Sequence, residues 1–186
     1  MARTKRLVPA SSGLLVVDIQ ERMMRVIPEK DEVVKNSVLL LEAARILKLP
    51  VVATTQYAAR IGELLPEITA AMGDIRPLDK LEFGCFDNKE ALAKIRSHPE
   101  VDSWIACGVE THICIYQTVL GGLREGYTMW VPADAVNSRA EKNYQTGLER
   151  IRQIGGAVGN TEMIIYELLH QAGTAEFKAM LPFIKL

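Results

Sequence analysis

An α/β fold, a parallel sheet covered by helices on both faces, is predicted by three features of this chain. Short Val- and Leu-rich runs are apolar on both faces, amphipathic stretches separate them, and the joining turns are short and carry no hairpin signal. In order, SGLLVVDIQ (12–20) is a central strand that ends in a polar cluster at Asp18, Gln20 and Glu21. From Asp31, apolar residues at Val34, Val38 and Leu41, and at Leu39, Ala43 and Ile46, mark an amphipathic helix that stops before Pro50. VVATTQ (51–56) is a second strand, GELLPEI (62–68) a short helical piece and NKEALAKIRS (88–97) a helix. SWIACGV (103–109) is a strand, HICIYQTVLGGLREG (112–126) a helix and YTMWVP (127–132) a strand. RAEKNYQTGLERIRQIG (139–155) is a helix, AVGNTEM (157–163) a strand, and the C-terminus is helical.

In such sheets the ligand crevice lies beyond the carboxyl ends of the strands. Asp18, the loop from Thr54 to Arg60 and the GVETHIC turn (108–114) all follow strands, so they are expected to converge on one edge.

With 186 residues, 48% of them apolar and 24% charged, the chain suits one globular domain over 1–186. A net charge of −1, with no basic run beyond RTKR (3–6), argues against a nucleic-acid partner. Apolar runs such as LLVV and VLLL fall far below the roughly 18 residues of a membrane span. No signal-like apolar stretch follows the N-terminus, which points to the cytoplasm. Three cysteines without C-x-x-C spacing read as reduced thiols.

Cofactor motifs are rejected. No glycine-rich turn follows the first strand, and GGAVG (155–159) precedes a strand, so a dinucleotide is not expected. His98, His112 and His170 are scattered, and no zinc site is expected.

Cys114 is the candidate nucleophile. Thr111 as N-cap would place it in the first helical turn, where free N–H groups and the helix dipole lower a thiol pKa. A buried structural cysteine is the alternative reading. At about 100° per residue, Ile113, Ile115, Tyr116, Val119, Leu120 and Leu123 share one arc, and Cys114 lies outside it beside Gln117, Thr118 and Gly121. Cys107, inside a strand, reads as core, while Cys85 either lines a pocket or packs. His112, two residues from Cys114, points about 160° away and is not its base. Asp18 at a strand end is the stronger base candidate, with a turn or capping aspartate as the alternative. Nothing in the residues themselves distinguishes Lys80 from the other lysines. Gly121 and Gly122 each cost a helix up to about 1 kcal/mol, which points to a close helix contact, expected in an oligomer.

LLVVDIQ (14–20), Lys80 followed by FGCF (83–86), and GVETHICIYQTVLGGLREGYTMWVPADAVNSR (108–139) resemble the isochorismatase-like cysteine hydrolases. TTQYAARIGELLPEI (54–68) and IIYELLHQAGTAEFKAMLPFIK (164–185) are similar to an uncharacterised isochorismatase-domain branch. The resemblance implies a six-stranded parallel sheet, a catalytic set of Asp18, Lys80 and Cys114, a cis peptide between Val109 and Glu110, and homo-oligomers. It also implies an oxyanion hole from the backbone N–H groups of Glu110 and Cys114. The implied chemistry is attack by Cys114 on an amide-like or carbamoyl C–N bond of a small molecule, with Asp18 as base and Lys80 stabilising charge. Nicotinamidases of the superfamily carry metal ligands after the second strand, where this chain reads TTQYAARIGELL, so no metal and no cofactor are expected. Isochorismatase proper is not expected either, since that resemblance implies vinyl-ether cleavage without a cysteine nucleophile. Tyr57, Arg60, Phe83 and Phe86 are substrate-binding candidates by position, with Arg60 either meeting a carboxylate or solvated. A non-catalytic oligomeric scaffold and a thiol redox sensor, with Cys85 resolving an oxidised Cys114, are the competing readings.

Overall fold

A computed structural model describes residues 6–184. Of the RTKR run only Arg6 falls among them, and residues 185–186 also lie outside. One sheet runs through the molecule, built from β1 (Ser12–Val17), β2 (Val51–Gln56), β3 (Leu78–Lys80), β4 (Ser103–Val109), β5 (Thr128–Pro132), β6 (Val136–Asn137) and β7 (Ala157–Gly159). Six strands follow the order β3-β2-β1-β4-β5-β7, and the two-residue β6 pairs with β4 beside that path. Every ladder between them is parallel. The count is therefore seven, the six expected strands plus a short one. β3 and β6 carry no apolar run that a sequence pattern could detect.

The helices are α1 (Glu21–Met24), α2 (Lys30–Leu47), α3 (Ala58–Ile61), α4 (Pro66–Met72), α5 (Lys89–Arg96), α6 (Tyr116–Arg124), α7 (Glu141–Gln153), α8 (Thr161–Leu169) and α9 (Ala175–Met180). Alternation along β1 sorts them into two layers. Leu14 and Val16 face a core built with Leu40 and Ala44 of α2, Ile68 of α4, Ile164 of α8 and Met180 of α9. Leu15 and Val17 face a second core with Ile95 of α5, Val119 of α6, and Leu148 and Ile151 of α7. Both faces of β1 are buried along its whole length, which is why its sequence is apolar without alternation.

Two expectations change in detail. The AVGNTEM strand stops at Gly159, because the Asn160 side chain accepts the Met163 N–H at 2.8 Å and caps α8 instead. Thr54 lies inside β2, not in the loop after it.

Gly121 and Gly122 serve contacts within this chain. A Cβ on Gly121 would stand 2.7 Å from Phe86 Cβ, and one on Gly122 would overlap the Met129 sulfur. Close packing of α6 on the Cys85–Asp87 turn and on β5 accounts for both glycines, so they carry no oligomer signal.

Candidate active site

Strand register brings the expected residues to one edge. Val17 pairs with Thr54 on one side and Gly108 on the other, and Gln56 pairs with Lys80, so the carboxyl ends of β1, β2, β3 and β4 end side by side. Close approach has a requirement at Gly108, whose φ is +122°, since a Cβ there would run into the Val17 carbonyl oxygen. Asp18, the next residue after β1, adopts φ +55°. That left-handed conformation costs a non-glycine residue about 1–3 kcal/mol and persists where its surroundings over-determine it. Here its N–H donates to Thr54 O at 3.1 Å and its carbonyl accepts the Gln20 N–H at 2.8 Å.

The Asp18 carboxylate is wholly buried and fully engaged. One oxygen accepts the Lys80 ammonium at 2.7 Å and the other the Thr54 hydroxyl at 2.8 Å. Lys80, at the end of β3, spends its remaining protons on Gln56 Oε1 at 2.7 Å and Phe83 O at 3.1 Å. Desolvation works to lower its pKa. The Asp18 charge, with smaller contributions from Cys85 and Cys114, outweighs that and holds the ammonium above its ordinary range. Gln56 is in turn locked by Gln20, whose Oε1 accepts the Gln56 N–H at 2.7 Å and whose amide donates to Gln56 O and Gly62 O.

Beyond β4 the Val109–Glu110 peptide is cis, as the resemblance implied. The chain then enters a wide π turn, Thr111–Ile115, before α6. Glu110 occupies the capping position, not Thr111, whose hydroxyl is buried without a hydrogen-bond partner in the structure. The Glu110 carbonyl accepts the N–H groups of Ile113 and Ile115, at 3.0 and 3.2 Å. An α-turn would instead have given it the Cys114 N–H. Wide turns of this kind are frequent at functional sites.

Cys114 is buried within this turn, close enough to Asp18 and Lys80 for both charges to act on its thiol. Burial pushes its thiol pKa up, the Asp18 carboxylate pushes it further, and Lys80 opposes the rise only in part. The lowered pKa expected from the helix start is thereby corrected: desolvation and a neighbouring anion outweigh the backbone dipole. His112 points elsewhere, its Nδ1 lying 3.0 Å from Ser138 Oγ.

Cys85 is buried beside the same group, its sulfur 3.9 Å from the Thr54 hydroxyl. Because Thr54 gives its one proton to Asp18, the Cys85 thiol is the donor in this contact. Cys107 is fully buried in the core, and burial raises its pKa to about 12.

A cavity of about 340 Å³ opens over Cys114 and Gln56. Met23, Val26, Ile61, Phe83 and Ile113 supply apolar wall, and Arg22, Arg60, Arg139 and Glu110 its charges. Of the four substrate-binding candidates, Arg60 and Phe83 line it. Tyr57 is 43% exposed and stands outside the lining. Phe86 is turned away into the second core, packed on Gly121 with its ring 5.7 Å from that of Tyr127. Asp18 and Lys80 lie behind the wall, reached through Cys114 and Gln56.

Thr54 and Gln56 fell within the 54–60 stretch expected at this edge but were given no role of their own, while two side chains escaped the sequence reading altogether: Arg22 and the Glu110 carboxylate. The last binds Arg139 twice, through its backbone N–H at 2.8 Å and its guanidinium at 3.0 Å. Gln56 ends a strand next to Lys80, and that position was the only available signal. Among the described residues no group of three or more His, Cys, Asp or Glu is placed to hold a metal ion. No helix among them is long and apolar enough to cross a membrane.

Comparison with known proteins follows the same lines. The isochorismatase domain family matches residues 12–163. The secreted isochorismatase effector Isc1 of Phytophthora sojae is 36% identical over 186 residues, covering 98% of this chain and 89% of its own. Human isochorismatase domain-containing protein 2 is 33% identical, over 97% of this chain and 86% of its own. Among solved structures, MAR1 ribonuclease from Caenorhabditis elegans superposes with a TM-score of 0.91 at 28% identity, covering 97% of this chain and 92% of its own. YcaC from Escherichia coli, described as an octameric hydrolase of unknown specificity, gives 0.88 at 22% identity, over 98% and 94% of the two chains. On the family match and these relatives, the chain belongs to the isochorismatase domain family.

Proposed function

We propose that this protein is a cysteine hydrolase acting on an amide-like or carbamoyl C–N bond of a small molecule. The observation that carries this reading is the solvent-free Asp18–Lys80 pair placed against the one cysteine that faces a cavity. In the free protein Cys114 holds its proton. As its sulfur bonds to the substrate carbonyl carbon, the proton passes to Asp18, while Lys80 offsets the charge that remains. The carbonyl oxygen becomes an oxyanion, held by the backbone N–H groups of Glu110 and Cys114. A turn that spends Ile113 and Ile115 N–H on the Glu110 carbonyl supports this role for Cys114 N–H. Collapse breaks the C–N bond, the amine leaves with the proton from Asp18, and a thioester, or a thiocarbamate where the substrate is a carbamoyl compound, stays on Cys114. Water then attacks this intermediate, Cys114 recovers its proton, and a carboxylic or carbamic acid is released.

Arg60 and Phe83 contact the substrate, and Tyr57 and Phe86 have no part in the cavity. The reading includes a metal-free site without nicotinamidase activity, since TTQYAARIGELL offers no ligand set after β2. It also takes residues 1–186 as one domain. Three free buried thiols fit a reducing cytoplasm, and the octamer described for E. coli YcaC supports a homo-oligomer. A ribonuclease activity, the name carried by the C. elegans neighbour, is not adopted. A cavity of about 340 Å³ suits one small molecule, and the chain has no basic run beyond RTKR (3–6) of the kind that tracks a nucleic-acid backbone.

A screen of primary amides and carbamoyl compounds, read as ammonia release, tests the reading. Cys114→Ser and Asp18→Asn are each expected to lower kcat at least about a hundredfold on any substrate found. Full turnover by Cys114→Ser would overturn the nucleophile.

A further inference from the structure

The charges around the cavity do not balance. Three guanidinium groups, from Arg22, Arg60 and Arg139, face it with one carboxylate, Glu110, on a chain whose net charge is −1. Glu110 is committed to Arg139, which it holds through both carboxylate oxygens. Arg22 and Arg60 form no ion pair among the described residues. Their arrangement is nonetheless built. Arg22 is on α1 and Arg60 on α3, two four-residue helices that follow β1 and β2, and Arg22 donates to the Arg60 carbonyl at 2.7 Å. That bond ties the two helices together by backbone and leaves the Arg60 guanidinium without a partner among the described residues.

The geometry points to an anion-binding subsite at Arg22 and Arg60, so that the substrate is an amide or carbamoyl compound that also carries a carboxylate or phosphate-type group. This rests on the hydrolase reading for the fate of the C–N bond and not for the subsite itself. With the scissile carbonyl over Cys114, the anionic end meets the two guanidinium groups, and Met23, Val26 and Ile61 cover the short apolar spacer between them. Planar guanidinium forks suit a carboxylate or a phosphonate through paired N–H donors. An arginine pair without acidic partners also draws an anion in before contact.

Binding to the Cys114→Ser protein, followed by NMR titration, separates the subsite from turnover. Succinamate, its neutral isostere succinamide and 3-phosphonopropanamide are the probes. Either anion is expected to bind at least about tenfold more tightly than succinamide, and the tighter of the two identifies the source. Arg60→Gln keeps the backbone carbonyl that holds Arg22, and it brings the anion's affinity down to that of succinamide. Arg22→Gln gives the same direction. Arg150→Gln, on α7 outside the cavity, retains the preference. Equal affinities for anions and succinamide, no saturable binding of either anion, or an anion preference untouched by Arg60→Gln would each overturn the subsite. Turnover by the wild-type chain reports the other question. Selective binding without hydrolysis of any probe leaves the subsite standing and removes the hydrolase reading. Hydrolysis of succinamide and succinamate at equal kcat/KM does the reverse.

Discussion

The Lys80 ammonium lies 2.7 Å from the Asp18 carboxylate, and neither side chain reaches solvent. A pair so placed is a poor device for stability, because desolvating two ions costs about as much as their attraction returns. Its position gives it another use. The same carboxylate is in reach of Cys114, at the wall of the cavity, and Gln56 bridges from Lys80 to that wall. In the proposed reaction that charge is in place before substrate arrives, and the proton passes from Cys114 to Asp18 in a buried setting.

Removing one partner should be far worse than removing both. Lys80→Met leaves a buried carboxylate without its cation, and we expect a loss of about 3–5 kcal/mol in urea unfolding. Asp18→Asn strands the ammonium and should also destabilise. In the double variant Asp18→Asn/Lys80→Met the losses should fall short of their sum by at least about 2 kcal/mol. Additive losses would mean that the two side chains are not coupled in the folded protein.

Alkylation of Cys114 should be slow in the native state. Burial and Asp18 both raise its pKa, so the apparent value from iodoacetamide rates, read by peptide mass spectrometry, should lie above the ordinary thiol value of about 8.5. Asp18→Asn removes the neighbouring carboxylate charge and should move that value down, although burial remains. Lys80→Met removes the opposing charge and should move it up. An apparent value below 8.5 in the native protein would restore the helix-dipole account and overturn the proton transfer to Asp18.

Much of this fold was legible in the chain, and the reasons are particular. LLVV is apolar on both faces because two helix layers cover β1, whereas the arc drawn for the Cys114 helix was misplaced: the buried residues there are Cys114, Ile115, Thr118, Val119 and Gly122, and Thr118, on the Cys114 side, accepts the Cys85 N–H at 3.1 Å. Strand ends and resemblance together pointed to Asp18, Lys80 and Cys114. The thiol pKa was misread because the dipole argument uses one helix, whereas desolvation is set by every element around the sulfur. Phe86 and Tyr57 were misplaced for a similar reason: position in a loop does not say which way a side chain turns. Gln56 and the Glu110–Arg139 contact depend on partners 24 and 29 residues away, which no local pattern encodes.

Gly121→Ala tests whether the tight face of α6 is an internal contact. Alanine is the better helix former by up to about 1 kcal/mol, yet its methyl would meet Phe86 Cβ at 2.7 Å. Overpacking of this kind costs about 1–3 kcal/mol, so a net lowering of Tm by several degrees is expected with an unchanged mass in solution. Dissociation of an oligomer at unchanged Tm would place the contact between subunits instead.

Stability should decline on the alkaline side, and the sign follows from the thiols. Burial raises the pKa of Cys107 to about 12 and that of Cys85 upward, with burial followed by Asp18 doing the same at Cys114. In the unfolded chain each ionises near 8.5. A raised folded value means that the native state keeps a proton that the unfolded state has released, so this stability is fully present below about pH 8.5 and is lost as pH rises toward the folded values. Each thiol adds a slope of up to about 1.4 kcal/mol per pH unit in that window. Lys80, raised as well, adds to the loss only above about pH 10.4. Urea midpoints measured from pH 7 to pH 10 should therefore be level at first and then fall. In Cys107→Ala the fall between pH 9 and pH 10 should be shallower by about one thiol's slope, although the variant starts less stable because of the space it leaves in the core. A curve that stays level to pH 10 would mean that these thiols are not shielded from water in the native state, and the raised pKa of Cys114 would go with it.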